Sequence, residues 1–314
     1  MRKIVITGAT GSLGRALIDE AVSRNYEVLV ICNPTSNRAE ELSAISGCRI
    51  AKIDLSDYKY GKAILNEQGI ETSGYDTFFH LSWMSSFGKG RDDLSVQLKN
   101  VEAAVEAANL AHQLGCLTFI GTGSQAEYGR KTEALSPTTL PTPETGYGIA
   151  KLSAGYMTRL VCEQFGMRHF WARILSIYGP YDRDQTLISY AISSMLHNED
   201  TEFTACEQIW DYIYSYDAAK CMLAVMESNN PGAIFVLGSG KTRLLKNYIE
   251  VIAEQTHYKK RIGFGKKDYP HKQVMYLKAD ISFLVYDIGI CPNTPFEEGI
   301  AKTIKWKLSK ENIA

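Results

Sequence analysis

Near the start of the chain an apolar run, residues 3–7, breaks into Thr7-Gly8-Ala9-Thr10-Gly11-Ser12-Leu13-Gly14 and passes straight into a helical pattern over 13–24. Glycine there allows a tight turn and close approach of backbone to an anion. A helix beginning at the turn offers N–H groups that have no partner inside the helix. The spacing is G-x-x-G-x-x-G, not the commoner G-x-G-x-x-G. In a strand–turn–helix context it predicts a cradle for a dinucleotide diphosphate, formed by Gly8, Thr10, Gly11, Ser12, Leu13 and Gly14. A purely structural turn is the alternative.

Strand-like and helix-like periods alternate through the first half. Continuous apolar runs stand at 3–7, 26–32, 48–53, 77–81, 117–122 and 168–174, with a later one at 233–237. Helical stretches fall between them, clearest in the Ala- and Leu-rich segment 96–114. Strands that are apolar throughout predict a parallel sheet covered on both faces, an α/β fold. After Tyr178-Gly179-Pro180 the regularity weakens. Helices are expected at 185–197, 247–255 and 295–307, a loop-rich stretch leads to Trp210, and a basic segment at 258–275 reads as surface or substrate-side. The C-terminal part is expected to pack over the carboxyl edge of the sheet.

Composition removes several classes. Lys and Arg number 34 against 35 Asp and Glu, a net charge of -1, so nothing draws the whole chain to nucleic acid or an anionic membrane. No window approaches the roughly 18–20 apolar residues of a membrane span. The first residues lead into a strand and not into a signal-peptide core. Seven scattered cysteines form no C-x-x-C pair and no Cys/His cluster, so no metal is expected and reduced thiols suit a cytoplasmic protein.

The second strand ends Ile31-Cys32-Asn33-Pro34, without the carboxylate that would grip the ribose diol of NAD. Asn33, Ser36 and Arg38 can donate to a 2′-phosphate without repelling it, which favours NADP(H) over NAD(H); an ordinary polar loop is the alternative. Asp54 and Leu55, closing the third strand, are expected near the adenine. Leu81 and Ser82 follow the fourth strand, on the expected path of the cofactor. His80 beside them is either substrate-side or a packing residue.

Tyr147 and Lys151 stand four apart in Tyr147-Gly148-Ile149-Ala150-Lys151 and so share one face of a helix. A free phenol, with a pKa near about 10, is a poor base at neutral pH, and a neighbouring ammonium is expected to lower that value. The pair alone carries little, because the chain has 18 tyrosines. Ser124 adds the third element. It closes the fifth strand in Gly121-Thr122-Gly123-Ser124-Gln125-Ala126-Glu127-Tyr128-Gly129, where ligands of parallel sheets bind. Hydroxyl, phenol and ammonium together predict proton transfer at a carbinol or ketone oxygen.

T-G-A-T-G-S-L-G, G-S-Q-A-E-Y-G and Y-G-I-A-K together resemble the extended short-chain dehydrogenase/reductases, and more narrowly the NAD-dependent epimerase/dehydratase family of nucleotide-sugar enzymes. The resemblance covers nearly the whole chain. Arg173-Ile174-Leu175-Ser176-Ile177-Tyr178-Gly179-Pro180 is similar to R-x-x-x-x-Y-G-P, and Trp210-Asp211-Tyr212-Ile213-Tyr214 to R-D-F-I-Y-V. Asp280, with the run from Pro292 to Ile300, is similar to the closing P-x-x-x-x-E-E-G-I. The resemblance implies a Rossmann-type doubly wound sheet over 1–175, with 209–238 returning to it. It further implies a smaller mixed α/β substrate-binding region at 176–208 and 239–314, a bound NAD(P), and a homodimer. By position it makes Ser124, Tyr147 and Lys151 the catalytic set. Asn100 would either support the site or serve as a cap or solvent-facing residue.

The departures narrow the chemistry. Sugar 4,6-dehydratases of this kind carry Asp-Glu where this chain has Gln125-Ala126. Glu127 is one position late and, on an extended segment, would face the other side. Ser176 stands where the family has asparagine, and Trp210 where it has arginine. Arg183, Arg243 and Lys246 are candidates to restore the lost grip. Trp210 either stacks on a ring or is buried structurally. With His80, Ser124 and Gln125, residues Ser176, Arg183, Trp210 and Arg243 complete the expected substrate side. The expected activity is NAD(P)H-dependent reduction of a 4-keto sugar linked to CDP, dTDP, UDP or GDP. G-S-Q-A-E-Y-G and W-D-Y are similar to the deoxysugar synthases that reduce CDP-linked 4-keto sugars. A 4-epimerase with retained NAD, a reductase of small aldehydes or ketones, and a non-catalytic NAD(P) sensor are the alternatives.

Overall fold

All seven apolar runs become strands of one parallel sheet. The computed structural model describes residues 2–311. The first half runs β1 (Lys3–Thr7), α1 (Ser12–Ser23), β2 (Glu27–Cys32), the one-turn α2 (Glu40–Ser43), β3 (Cys48–Lys52), α3 (Gly61–Glu67), β4 (Thr77–His80), α4 (Leu94–Gln113), β5 (Thr118–Ser124) and α5 (Gly146–Gln164). The chain continues through β6 (Arg168–Ile174), β7 (Ser176–Tyr178), α6 (Leu187–Leu196), β8 (Ile209–Trp210), β9 (Tyr212–Tyr214) and α7 (Ser215–Glu227). It ends with β10 (Gly232–Leu237), β11 (Arg243–Leu244), α8 (Leu245–Gln255) and α9 (Phe296–Glu311).

The sheet order is β10-β6-β5-β4-β1-β2-β3. β1 pairs with β2 on one side and β4 on the other, so the connections diverge there and leave a crevice at the carboxyl ends of these strands. Both faces are dry. On β1, Ile4 and Ile6 join the core under α1 and α7, while Val5 joins the core under α3 and α4. Each fully buried side chain of this kind contributes about 1.5–3 kcal/mol, which is why the strands read as unbroken apolar runs. Among the described residues, no helix is long and apolar enough to cross a membrane.

The later elements form a third core shared by α6, α8 and α9. β7 pairs in parallel with β9, and β8 antiparallel with β11. Two carboxylates tie these pieces down. Asp211 accepts from the N–H groups of Ser239, Gly240 and Ala279, and Asp217 from those of Asn293 and Thr294. A Cβ on Gly299 would stand 2.2 Å from the Tyr178 hydroxyl, so the E-E-G-I glycine is needed for α9 to lie against the tyrosine of Y-G-P. The two-residue strands β8 and β11 carry no readable period, and the sequence did not predict them.

Candidate active site

A cavity of about 780 Å³ opens at the crevice. Its walls come from the turns after β1, β2, β4, β5 and β6, with Trp210 and Tyr212 closing one side. This is the size range of small-molecule sites, about 300–1,000 Å³.

All six residues expected in the glycine turn line it. Gly8 has φ +71°, and a Cβ there would stand 2.7 Å from Leu81 C and Ser82 N. At Gly14 a Cβ would come within 2.6 Å of Ala9 Cα. Gly11 differs, because its Cβ would meet only Gly8 O, at 3.8 Å. The fold therefore leaves room at Gly11 that a ligand can use. Gly11 also caps α1 with no side-chain hydrogen bond, and the buried Ser12 hydroxyl has no partner. An anion with several acceptor oxygens fits this donor set.

Asn33, Ser36, Arg38, Leu55, Leu81 and Ser82 also line the cavity. One Arg38 nitrogen lies 3.4 Å from both Thr10 O and Tyr181 O, so the guanidinium bridges the glycine turn and the segment after Y-G-P. Asp54 itself does not line the cavity, though Ile53 and Leu55 on either side of it do. Its carboxylate caps the 3-10 turn at Leu55–Tyr60, accepting from Ser56 N at 3.0 Å, and also accepts from Asn33 Nδ2 at 2.7 Å. Those bonds, led by Ser56, hold it below the usual carboxylate range.

Ser124, Tyr147 and Lys151 meet in the cavity floor. The approach of α5 explains this, since a Cβ at Gly148 would lie 2.3 Å from Ala126 O. The first turn of the helix thus rests directly on the turn after β5. Lys151 Nζ donates to Thr122 O at 2.7 Å and sits 3.7 Å above the Trp83 ring. It lies 5.9 Å from the centre of the Tyr147 ring. Burial pulls Lys151 down to about 7, against the opposing charge of Glu127. The expected lowering of the phenol is not found. Burial raises Tyr147 above its ordinary value and outweighs the downward pull of Ser124 and Arg91.

On the other side, Gln125, Ser176, Arg183 and Trp210 line the cavity. Trp210 Nε1 donates to Ser176 Oγ at 2.8 Å. Arg183 lies over the Phe87 ring at 5.3 Å. Two expected substrate residues are elsewhere. His80 is buried 2% exposed at the end of β4, with Nδ1 3.1 Å from Thr7 Oγ1, and burial lowers it to about 3. It is a neutral core residue. Arg243 pairs with Glu297 of α9 outside the cavity, because its strand turns it toward the last helix. Lys246 does not line the cavity either. Asn100 is neither cap nor solvent-facing: buried in α4, it accepts from Met84 N at 2.8 Å and donates to Met84 O at 3.0 Å, fixing the loop after β4.

The sequence profile of the NAD dependent epimerase/dehydratase family matches residues 4–238. The chain belongs to that family. It is an enzyme of the extended short-chain dehydrogenase/reductase type. It is 25% identical to CDP-abequose synthase of Salmonella muenchen, over 98% of each chain. It is also 25% identical to dTDP-4-dehydro-6-deoxyglucose reductase of Escherichia coli, over 96% of each. In fold it matches the UDP-N-acetylglucosamine 4-epimerase of Methanobrevibacter ruminantium M1, with TM-score 0.87 and 24% identity, covering 98% of this chain and 99% of that one.

Two features of this family member escaped the sequence reading. Arg91, whose guanidinium lies 4.5 Å over the Tyr147 ring, comes from a short 3-10 turn, Gly88–Asp92, whose sequence has no readable period. Among the described residues, Arg38, Arg91, Lys151 and Arg183 line the cavity against one carboxylate, Asp182, which burial raises to about 6. The cavity is therefore cationic. Glu127 was expected to face away from the site on an extended segment. It does not line the cavity, but the segment is not extended: Gln125–Glu127 is a 3-10 turn that carries the carboxylate beneath Ser124.

Proposed function

We propose that this enzyme reduces a 4-keto nucleotide sugar. The observation that carries the reading is geometric: the Tyr147 phenol lines a cationic cavity together with the Ser124 hydroxyl and Lys151. A protonated phenol is ready to give a proton to a carbonyl oxygen, whereas oxidising a carbinol would first require the phenolate. When bound, the nicotinamide supplies hydride to the carbonyl carbon. Tyr147 donates its phenolic proton to the carbonyl oxygen and recovers one from solvent. The Ser124 hydroxyl donates a hydrogen bond to the same oxygen, and Lys151 orients the cofactor ribose.

Gln125 and Ala126 cannot relay protons, which counts against elimination of water. Residues 176–208 and 239–314 form the substrate-binding region in this reading. Arg183 and Arg91 face the substrate diphosphate, in place of the family arginine that Trp210 replaces. The match to CDP-abequose synthase and to dTDP-4-dehydro-6-deoxyglucose reductase supports a sugar nucleotide over a small ketone. For the cofactor, Ser36 and Arg38 line the end of β2 as donors, and the Asp54 carboxylate beside Asn33 is held by Asn33 and Ser56 outside the cavity lining, which supports NADP(H) over NAD(H). The family name and neighbours solved with NAD keep a 4-epimerase with retained NAD as the second reading.

The test is an anaerobic fluorescence titration with NADPH and NADH, after an aliquot is denatured to detect retained cofactor. Turnover of CDP- and dTDP-linked 4-keto sugars is then followed. NADPH-dependent consumption of the ketone is expected. Retained NAD with no response to NADPH would overturn the reductase in favour of the epimerase.

A further inference from the structure

Beneath the floor of the cavity lies a charged pair that the proposed chemistry does not use. Glu127 is wholly buried, and Arg173 of β6 is 1% exposed. One Glu127 oxygen accepts from Ser124 N at 2.8 Å and from Trp171 Nε1 at 3.0 Å. The other accepts from Arg173 Nε at 2.7 Å. The arginine in turn lies 4.6 Å over the Tyr128 ring. Glycine makes room for this, since a Cβ on Gly123 would stand 2.3 Å from Glu127 Oε1 and 2.4 Å from Trp171 Nε1.

A buried ion pair is costly to assemble, and well-packed apolar residues of similar volume often do as well for stability. Its place here gives it another use. Ser124 has its N–H fixed by Glu127, while its hydroxyl accepts from Ala126 N at 3.2 Å. The carboxylate thus sets the turn that presents the serine to the cavity. It cannot itself exchange protons with substrate, because it is walled off and its oxygens are already engaged by three donors.

We infer that Glu127 is a positioning residue for the proton-transfer set: paired with Arg173, it fixes the turn bearing Ser124 and supplies the buried negative charge that opposes loss of the Lys151 proton. The inference rests on the proposed roles of Ser124, Tyr147 and Lys151. The titratable and charged groups near Lys151 are Tyr147 on its own helix, His80 at the end of β4 and Glu127 after β5. Arg173 lies beyond Glu127, and Arg91 lies across the Tyr147 ring. Of these, His80 is neutral and Glu127 is the anion. Without it, burial alone governs the lysine.

The test reads Lys151 directly. Full-length protein is labelled with 13C-lysine, the Lys151 signal is assigned by its loss in Lys151→Met, and its Nζ titration is followed by NMR without substrate. In Glu127→Gln, which keeps an acceptor for Ser124 N, the midpoint is expected to fall by about one pH unit or more. The alkaline limb of the kcat/KM profile should move to lower pH with it. Because Glu127→Gln leaves Arg173 buried without its partner, the double variant Glu127→Gln/Arg173→Met is measured alongside, and its midpoint is expected to fall too. A midpoint unchanged in a folded variant would reduce the pair to a structural role and overturn the inference. That result would leave the reductase reading untouched, since the reading stands or falls on ketone turnover.

Discussion

The Trp210 indole N–H and the Ser176 hydroxyl meet at 2.8 Å in the cavity wall, joining two of the positions at which this chain departs from the motifs it resembles. These two departures are therefore one coupled change. Trp210→Phe keeps an aromatic ring at the position but removes the donor and shortens the bicyclic side chain. It should lower unfolding stability by about 0.5–1.5 kcal/mol and leave KM for the sugar nucleotide nearly unchanged, as measured by urea denaturation and steady-state kinetics. A large rise in KM would mean that the indole meets substrate.

Tyr147→Phe removes the proposed proton donor and little else from the floor. Turnover should fall by about 10²–10⁴-fold, with NADPH affinity by fluorescence preserved. Undiminished turnover would assign the proton to another group.

Arg38 spans the mouth of the cofactor side. A guanidinium bonded to a 2′-phosphate is worth about 1.5–3 kcal/mol, so Arg38→Ala should raise the Kd for NADPH by roughly 10- to 100-fold and leave NADH unchanged. Equal losses for both cofactors would make Arg38 a structural bridge only.

Burial lowers His80 to about 3 and His169 to about 4, below the ordinary value of 6.5. Each stays neutral in the folded chain while its unfolded counterpart takes up a proton. Their stabilising contribution is complete above about pH 6.5 and is lost as pH falls from there toward 4 and then 3. Urea midpoints measured from pH 7.5 to 4.5 should decline, and the decline should be shallower in His80→Gln and in His169→Gln. Parallel curves for variants and parent would assign the acid sensitivity to other groups.

Helices α4 and α5 pack on each other and expose Leu94, Leu98, Ile149, Tyr156, Met157 and Leu160. A second copy of the chain is the proposed cover for this face. Leu98→Glu/Leu160→Glu should shift sedimentation toward monomer while the fold persists by circular dichroism. A parent protein that sediments as a monomer would remove the proposal.

Legibility followed burial. The central strands were readable because they are apolar on both faces, the edge strand β3 less so because Arg49 and Lys52 are exposed, and Ser124, Tyr147 and Lys151 because strand ends and helix periods fix where such side chains emerge. His80 misled because a strand's last residue faces either the cavity or the core with no change in pattern. Asp54 shows that a carboxylate after a strand serves equally as a turn cap, a use the pattern does not distinguish. Glu127 stays out of the cavity as expected, but through a 3-10 turn and not an extended segment, a conformation that three residues give no period to read. Arg243 and Arg91 belong to a two-residue strand and a short 3-10 turn, for which no periodicity exists to read.

The register of β10 against β6, from Gly232↔His169 to Leu237↔Ile174, has a consequence during synthesis. The strand that seals β6 leaves the ribosome some sixty residues after it. Until then the edge Arg168-His169-Phe170-Trp171-Ala172-Arg173-Ile174 is apolar and half-paired, the kind of surface on which nascent chains aggregate. The same strand carries Arg173 and runs into the cavity wall at Ile174, so the interval in which this protein is most exposed to misassembly is also the one that precedes completion of its pocket.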